Sequence, residues 1–369
     1  MAPRPEDRRF MAAAIRLSRW HLGLTSTNPS VGCLIVKDGA VLGRAVTALD
    51  GRPHAEPQAL AEAGEAARGA TAYVTLEPCS HYGKTPPCAE ALIAYGVARV
   101  VISVTDPDRR VSGRGIAMLR DAGIEVDAGI LEEDGRRSLS GYLMRQIRNR
   151  PYVTLKLAVS ADGMIGKTGE GQIRITGDIA RAQVQVLRAE SDAILVGIGT
   201  AIADDPELTC RLPGLESRTP LRIVIDDQLQ LPLGSNLVKT AQRYGLMVVG
   251  GHPPPFDENT DKALMGRRAA LDAAGAEVLQ SNSSEPGELL EALATRGISS
   301  LLVEGGARTA QRFVAADLVD RILLFQGPDT IGEGGIESPV TKTNIPASFR
   351  HIRASRFGDD RCDEFERGF

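Results

Sequence analysis

Four residues suited to metal and proton chemistry lie in two short segments of the chain. His54 and Glu56 are separated by one residue in HAEPQAL, and Cys79 and Cys88 bracket a proline-rich loop in TLEPCSHYGKTPPC. Imidazole and thiolate are ligands of zinc, and catalytic zinc sites use three protein ligands with one open position. Zinc-assisted hydrolysis also needs a carboxylate that moves protons. The set therefore predicts a catalytic zinc held by His54, Cys79 and Cys88, with Glu56 as the proton carrier.

The spacing of the two cysteines departs from the usual signature of zinc deaminases, H-x-E followed by P-C-x-x-C. The H-x-E part and Pro78-Cys79 are present, but eight residues rather than two separate Cys79 from Cys88. The alternative is a structural zinc site, which normally has four protein ligands. His81 is the candidate fourth ligand, and it equally suits a loop that faces a substrate.

Alternating helices and strands are predicted to position these residues. A helix spans Glu6 to Leu22, a hairpin follows in VGCLIVKDGAVLGRAV, and His54 starts a helix that runs to Ala66. TAYVTL is a strand that leads into the first cysteine, and the segments that follow are CAEALIAYG (helix), ARVVISV (strand), GRGIAMLRDAG (helix) and IEVDAGI (strand). This alternation is typical of a layered α/β domain with parallel strand pairs. One helix from about Glu132 to Arg148 closes the first half, and its basic end RQIRNRP is interpreted as a solvated linker face.

The second half begins at Pro151 and is predicted to be another α/β domain. Its strands are predicted in YVTLKLAVSADG, DAILVG, LRIVID, GLMVVG, AEVLQ, SSLLVEGG and RILLFQG, with helices between most of them and an irregular tail at the end. GHPPPFDEN and SNSSEPG are predicted surface loops. In LLVEGGARTAQRF, a glycine pair between a strand and a helix lets a ligand approach the backbone, and the helix start offers free amides to an anion. The G-x-G-x-x-G fingerprint is not found there.

Composition limits the classes of function. A chain of 369 residues exceeds what one hydrophobic core usually organises. The formal net charge of -4 gives no basic footprint for nucleic acid or for an anionic membrane. Five scattered cysteines argue against a disulfide scaffold. The N-terminal segment is too charged for a secretory signal and no run is long enough to span a membrane, so we expect a cytoplasmic protein.

The segments TLEPCSHYGKTPPC and TNPSVGCLIVKDG resemble the deaminase half of the bifunctional riboflavin-biosynthesis deaminase/reductase family. The resemblance covers essentially the whole chain. It implies a cytidine-deaminase-like three-layer α/β/α domain in residues 1–149 and a dihydrofolate-reductase-like α/β domain in residues 150–369. Carried over to this chain, His54, Cys79 and Cys88 would hold one zinc ion, Glu56 would carry protons, and Asn28 would bind the pyrimidine.

The second half is similar to the reductase half of the same family, whose cofactor is NADPH. The resemblance assigns two sets of residues there. The positions implied to contact NADPH are Ala158, Arg174, Thr200, Asp204, Gly306, Ala307, Arg308, Thr309, Ala310, Gln311 and Arg312. The positions implied to face the ribose-phosphate substrate are Gln172, Arg188, Leu208, Arg211 and Glu304. Two arginines suit a phosphate because guanidinium binds it in a bidentate manner.

Three positions depart from the family pattern. Thr47 and Gln58 stand where relatives often have histidines around H-A-E, and Arg174 stands where they often have tryptophan. The first two bear on substrate contacts, and the third on packing of the nicotinamide cofactor.

The resemblance implies two successive reactions on a small phosphorylated pyrimidine. Zinc-dependent hydrolysis would replace the 2-amino group of 2,5-diamino-6-(5-phosphoribosylamino)pyrimidin-4(3H)-one, and NADPH would then reduce the ribosyl group to ribityl. A homodimer or homotetramer formed through the reductase domain is expected, without nucleic-acid or membrane partners. The alternative is a nucleoside or tRNA deaminase with a non-catalytic reductase-like accessory domain.

Overall fold

The computed structural model describes residues 4–83, 85–108, 111–250, 258–281 and 285–368. The chain divides into two compact units, Met1–Asn149 and Arg150–Phe369. Residues 251–257 of the predicted loop GHPPPFDEN and residues 282–284 of the predicted loop SNSSEPG lie outside the described residues. Within the described part of the chain, no helix has both the length and the apolar character needed to cross a membrane.

The first unit is a mixed sheet with helices on both faces. Its helices are α1 (Asp7–Ser18), α2 (Ala55–Ala63), α3 (Cys88–Ala94), α4 (Arg114–Asp121), α5 (Glu132–Ser138) and α6 (Ser140–Arg148). Its strands are β1 (Gly32–Lys37), β2 (Ala40–Val46), β3 (Thr71–Leu76), β4 (Arg99–Val104) and β5 (Glu125–Ala128), in the sheet order β2-β1-β3-β4-β5. Strand β1 runs antiparallel to both neighbours, whereas β3, β4 and β5 are parallel to one another.

Two apolar clusters fix the three layers of this unit. One face of the sheet packs on α2, α3 and α4 through residues such as Leu60, Leu92 and Leu119. The opposite face packs on α1 through Phe10 and Met11. The predicted three-layer α/β/α architecture is confirmed. Because β3 and β4 are buried on both faces, they read as continuous apolar runs in the sequence.

The single helix predicted from Glu132 to Arg148 is wrong. The segment forms two helices, α5 and α6, which meet at Leu139 with φ −100° and ψ 8°. The side chain of Leu139 is buried in the core of the unit. Gly135 in α5 approaches Ser103 so closely that an added Cβ would lie 2.2 Å from its Oγ. Packing of α5 and burial of Leu139 therefore break the helix, although the local sequence favours continuation.

The second unit is built on a longer sheet. Its strands are β6 (Tyr152–Val159), β7 (Met164–Lys167), β8 (Ala193–Gly197), β9 (Leu221–Ile225), β10 (Leu246–Val249), β11 (Glu277–Leu279), β12 (Ser300–Val303), β13 (Arg321–Gln326), β14 (Gly335–Glu337), β15 (Phe349–Phe357) and β16 (Asp360–Arg367). Its helices are α7 (Asp178–Ala189), α8 (Ile198–Asp204), α9 (Asn236–Lys239), α10 (Glu258–Ala273), α11 (Pro286–Thr295) and α12 (Ala307–Ala315). The main sheet has the order β11-β10-β9-β8-β12-β6-β13-β16-β15.

The central strands of this sheet are parallel, and they bring the candidate site residues together. Strand β12 lies between β8 and β6, and all three run in the same direction. The segments that leave the carboxyl ends of β8 and β12 therefore lie side by side. In open α/β sheets, ligands bind outside the carboxyl ends of the strands. Helices α11 and α12 pack on one face, and α7 to α10 pack on the other.

The irregular tail predicted after β13 is also wrong. Residues 349–367 form the antiparallel hairpin β15–β16, and β16 pairs with β13. Strand β15 is the edge of the sheet and exposes its arginines, so its outward face lacks the apolar alternation by which strands are usually recognised.

Candidate active sites

The candidate zinc ligands lie together in the first unit. His54 is the residue before α2, Cys79 follows β3, and Cys88 is the first residue of α3. The Nδ1 atom of His54 lies 3.8 Å from Cys79 Sγ and 3.3 Å from Cys88 Sγ. One donor atom from each of the three residues lies within 4.8 Å of the other two.

These distances fit a tetrahedral zinc ion. With Zn–N near 2.0–2.1 Å and Zn–S near 2.3 Å, tetrahedral geometry separates a nitrogen ligand from a sulfur ligand by about 3.6 Å. The observed separations of 3.3 and 3.8 Å lie on either side of this value. Among the described residues, no His, Cys, Asp or Glu donor joins the group as a fourth ligand, His81 included. The donor set therefore matches the three-ligand, open type of site.

The contact between the two thiols shifts their pKa values in opposite directions. The hydrogen bond from the Cys88 thiol lowers the pKa of Cys79 to about 4. The same contact raises the pKa of Cys88 well above its ordinary value. The backbone N–H of Cys88 also donates to Cys79 Sγ at 3.3 Å. The lowered pKa of Cys79 favours its thiolate, the form of cysteine that binds metals.

Glu56 lies beside this cluster in the first turn of α2 and is 4% exposed. Burial raises its pKa, and the negative charge on Cys79 raises it further. Its carboxyl group contacts the Cys88 thiol and lies near the buried Cys33 of β1. A carboxyl group so placed can take a proton from water on the metal side and return it to a leaving group.

The two departures from the family pattern in this unit fill structural roles. The side-chain amide nitrogen of Gln58 donates to the carbonyl oxygens of Val46, Pro53 and His54 at 2.9–3.0 Å. It thereby holds the turn that presents His54. Thr47 is 1% exposed, and its hydroxyl oxygen accepts the backbone N–H of Val31 at 2.9 Å.

Asn28 lies in the loop before β1. Its backbone carbonyl accepts the Thr25 hydroxyl at 2.7 Å, and its side-chain amide lies against Gly51. An added Cβ on Gly51 would stand 2.4 Å from Asn28 Nδ2, and Gly51 adopts φ +85°, so glycine is required there for two reasons. Because Gly51 is just upstream of His54, the Asn28 amide lies next to the segment that enters the metal cluster.

A buried carboxylate that sequence reasoning missed supports the other side of the cluster. Glu77 stands two residues before Cys79 and accepts four backbone N–H groups from the segment around the start of α4. The motif TLEPC contains this residue, but its partners are distant backbone amides, which sequence does not reveal.

In the second unit, the segments after β8 and β12 meet as their parallel pairing requires. The backbone N–H of Gly306 donates to Thr200 Oγ1 at 3.1 Å. Added Cβ atoms on Gly197 and Gly305 would lie 2.5–2.7 Å from Thr309, so both glycines permit close packing of the start of α12. Thr200 and the Gly306–Arg312 segment therefore form one surface at the carboxyl ends of the central strands. Ala158 lies on β6, the neighbour of β12.

A buried ion pair lies beside this surface. The Arg188 guanidinium makes two hydrogen bonds to the Glu304 carboxylate, at 2.8 and 3.0 Å, and both side chains are 10% exposed. Burial alone would raise the pKa of Glu304, but the adjacent Arg188 lowers it. Burial lowers the pKa of Lys156, and the charge of Glu304 opposes this effect. Two cations thus flank one carboxylate.

The loop after α8 holds several further candidates. Asp204 is the last residue of α8, and burial raises its pKa. Leu208 is buried and has φ +55°. Arg211 is half exposed and pairs with Glu207 at 3.2 Å, and its charge contributes to lowering the pKa of Glu304.

Gln172 and Arg174 lie on the segment that follows β7. An added Cβ on Gly171 would stand 3.5 Å from the Ala203 carbonyl oxygen, so Gln172 begins next to α8. Arg174 is 55% exposed and pairs with Asp178 at the start of α7. It lines a cavity of about 330 Å³ together with Asp329, Phe357 and Asp360.

A metal-binding deaminase unit followed by a reductase unit is the class that this fold and these sites define. The family described as the cytidine and deoxycytidylate deaminase zinc-binding region matches residues 4–104, and the RibD C-terminal domain matches residues 151–362. The riboflavin biosynthesis protein RibD of Aquifex aeolicus is 38% identical over 363 residues, 98% of each chain. That of Escherichia coli strain K12 is 39% identical over 340 residues, 89% of each chain. The chain belongs to the RibD family of riboflavin biosynthesis proteins, bifunctional enzymes with deaminase and reductase activities.

Solved structures give the same result for the fold. Acinetobacter baumannii RibD, form 1, is 35% identical with a TM-score of 0.85, and covers 99% of both chains. A diaminohydroxyphosphoribosylaminopyrimidine deaminase/5-amino-6-(5-phosphoribosylamino)uracil reductase from Thermotoga maritima is 32% identical with a TM-score of 0.84, over 98% of this chain and 99% of that one. The fold class and the bifunctional assignment predicted from sequence are thereby confirmed. The alternative of a lone deaminase with a non-catalytic accessory domain is set aside.

Proposed function

We propose that residues 1–149 deaminate 2,5-diamino-6-(5-phosphoribosylamino)pyrimidin-4(3H)-one and that residues 150–369 reduce the ribosyl group of the product to ribityl. The observation that carries the proposal is the convergence of His54, Cys79 and Cys88 beside the buried Glu56. The substrate follows from the activities named for the Thermotoga maritima relative.

In the deaminase unit, one zinc ion per chain would be held by His54, Cys79 and Cys88. Zinc supplies Lewis-acid activation of a water molecule when it is bound. Glu56 accepts a proton from the attacking water and delivers it to the departing amine, so ammonia leaves and oxygen takes its place. Asn28 binds the pyrimidine ring.

In the reductase unit, the bound cofactor would be NADPH, which would supply hydride-transfer chemistry. Thr200, Asp204, Ala158, Arg174 and the segment 306–312 would bind it. The amides at the start of α12 suit an anionic group, because the helix dipole and the free N–H groups both favour negative charge. The bound cofactor would deliver its hydride to C1 of the opened ribose, in a carbonyl or imine form, with the balancing proton taken from water and without a covalent bond to the enzyme.

The substrate of the reductase would be held by the remaining candidates. Arg211 binds the phosphate, because it is half exposed and the ion pair found for its guanidinium among the described residues is the exposed one with Glu207. Glu304 faces the ribose, oriented by its bidentate pair with Arg188. Gln172 and Leu208 line the same pocket. We further propose a cytoplasmic homodimer or homotetramer formed through the reductase unit.

The test separates the two activities in one preparation. Ammonia release from the diaminopyrimidine substrate and NADPH oxidation on the pre-deaminated substrate are measured before and after removal of zinc by a chelator. Zinc removal should abolish the first activity, and zinc addition should restore it, while NADPH oxidation continues throughout. Ammonia release by the metal-free protein, or failure to oxidise NADPH with either substrate, would contradict the proposal.

A further inference from the structure

The loop that connects α8 to β9 contains backbone conformations that side chains disfavour. Asp205 has φ +38° and Leu208 has φ +55°, both in the left-handed region. Non-glycine residues in this region are strained and persist only when the surroundings impose the conformation. Leu208 is itself a proposed substrate contact of the reductase, and Asp205 directly follows the proposed cofactor contact Asp204. The groups that impose the conformation are therefore of functional interest.

One of these groups is the guanidinium of Arg222, a fully buried residue of β9. Its five N–H donors are all used. Nη1 donates to the Glu207 carbonyl and to Thr240 Oγ1, Nη2 donates to the Thr240 and Tyr244 carbonyls, and Nε donates to the Gly245 carbonyl. The Glu207 carbonyl belongs to the strained loop, whereas the other acceptors belong to the segment after α9. Arg222 thus ties the loop to a part of the unit about 35 residues further along.

Stability alone does not account for this arginine. None of its hydrogen-bond acceptors is a carboxylate, and burial lowers its pKa to about 10 although the charge of Glu207 partly opposes this effect. Burying a charge without an opposite charge is costly, and apolar replacements of buried ionic groups often stabilise proteins. A fork of five donors is, however, the side chain best suited to fix several carbonyl groups at once.

The carbonyl groups on both sides of Leu208 are held by buried arginines. Arg222 binds the carbonyl of Glu207 at 3.3 Å, and Arg188 binds the carbonyl of Thr209 at 3.1 Å. Further upstream, Asn236 binds Asp205 twice, through its backbone N–H at 2.8 Å and its side-chain amide at 2.9 Å. The backbone between Asp205 and Thr209 is therefore held at three positions, Asp205, Glu207 and Thr209.

We propose that Arg222 is a positioning residue of the reductase, which holds the Asp205–Thr209 turn so that Leu208 and Arg211 meet the ribose-phosphate substrate. The inference rests on the proposed function, because that function assigns the loop to the substrate. Arg222 itself is fully buried, and its N–H groups all donate to protein acceptors, so it is not proposed to contact the substrate. Its loss should therefore impair substrate binding more than cofactor binding, since α8 is also held at its other end by the Thr200–Gly306 contact.

The experiment compares Arg222→Lys with Arg243→Lys in the full-length protein. Arg243 is the matched control, because its guanidinium lies over the same Tyr244 ring, at 5.0 Å, and is exposed. We expect Arg222→Lys to lower kcat/KM for the deaminated substrate by on the order of 10- to 100-fold, the scale of a 1 Å misplacement. The loss should appear mainly in KM. The Kd of NADPH, ammonia release by the first unit and all parameters of Arg243→Lys should stay near wild type.

An unchanged KM in a folded Arg222→Lys protein would overturn the inference. So would an equal loss of NADPH binding, because that result indicates a general structural role. If Arg222→Lys does not fold, Asn236→Ala decides the question, since it loosens the same turn from a partly exposed position. A raised substrate KM in Asn236→Ala supports the inference, and an unchanged KM overturns it.

Arg211→Ala separates this inference from the proposed function. A raised KM in Arg211→Ala with no effect of Arg222→Lys means that only the inference fails. No effect of either change means that the loop does not bind the substrate, so the proposed function of this site fails as well.

Discussion

The Glu77 carboxylate offers the sharpest test of how the deaminase unit is held together. Glu77 is 3% exposed, and no basic side chain pairs with it among the described contacts. Its Oε2 accepts the backbone N–H groups of Asp106 and Gly113, at 3.3 and 3.0 Å. Its Oε1 accepts those of Gly115 and Ile116, at 3.0 and 3.3 Å. One anion therefore satisfies the start of α4 and the loop that precedes it.

The Glu77→Gln variant keeps the shape of the side chain and removes one acceptor. The amide has a single oxygen, so two of the four backbone N–H groups lose their partner and face an NH₂ group instead. An unsatisfied buried donor costs about 1–3 kcal/mol, so the free energy of unfolding of the first unit should fall by roughly 2–6 kcal/mol. For a unit of this size each kcal/mol lowers Tm by about 2–4 °C, which predicts a decrease on the order of 10 °C.

Calorimetry of the full-length protein measures this effect. The transition of the first unit is identified as the one that moves when zinc is removed. Glu62→Gln is the control, because Glu62 accepts one backbone N–H, from Arg44 at 2.7 Å, in an exposed setting. The transition of the second unit and NADPH oxidation should not change. A Tm for Glu77→Gln equal to that of Glu62→Gln would refute the reasoning.

Four other predictions follow from the sites. Cys88→Ser should lose both bound zinc and ammonia release, and full zinc occupancy by metal analysis would show that the ligand set is wrong. Glu56→Gln should retain zinc while ammonia release falls by about 10²–10⁴-fold, and NADPH oxidation on pre-deaminated substrate should be unaffected. Arg211→Ala should weaken binding of the phosphorylated substrate by roughly 1.5–3 kcal/mol with little change in NADPH affinity, as read from KM and cofactor titration. Burial would raise the pKa of Asp363, but hydrogen bonds from Arg361, Lys342 and His351 outweigh this effect and lower the pKa to about 2. The ionised carboxylate stabilises the fold above its ordinary pKa of 3.8, and this contribution is lost as the pH falls towards 2. Between these pH values the free energy of unfolding, measured by acid unfolding, should therefore fall less for Asp363→Asn than for the wild type.

Patterns that act locally could be predicted from the sequence. Strand β3 coincides with the predicted TAYVTL, and the β1–β2 hairpin turns at Asp38-Gly39 as its residues indicate. The candidate metal donors could be selected because few residue types bind zinc. Of these candidates, Cys79 follows strand β3 and Cys88 begins helix α3.

Features that depend on distant backbone groups could not be predicted. The acceptors of Arg222 and the donors of Glu77 are main-chain atoms, which every residue possesses, so side-chain types give no sign of them. The β15–β16 hairpin was missed for a related reason: its pairing with β13 is long-range, and its edge strand shows arginines to solvent. The break at Leu139 is likewise imposed by packing rather than by helix propensity.

The two departures around the zinc cluster can now be interpreted physically. Gln58 has two N–H donors, and they are shared among the carbonyl groups of Val46, at the end of β2, and of Pro53 and His54, just before α2, so they are not available to a ligand. The Thr47 hydroxyl oxygen accepts the backbone N–H of Val31, and the Thr47 carbonyl oxygen accepts a hydrogen bond from His21 Nδ1 at 2.7 Å. At these two positions the chain uses its polar atoms to hold the backbone around His54. We therefore expect other groups near the cluster to contact the pyrimidine, and Asn28 remains the proposed one because its side-chain amide adjoins Gly51, just upstream of His54.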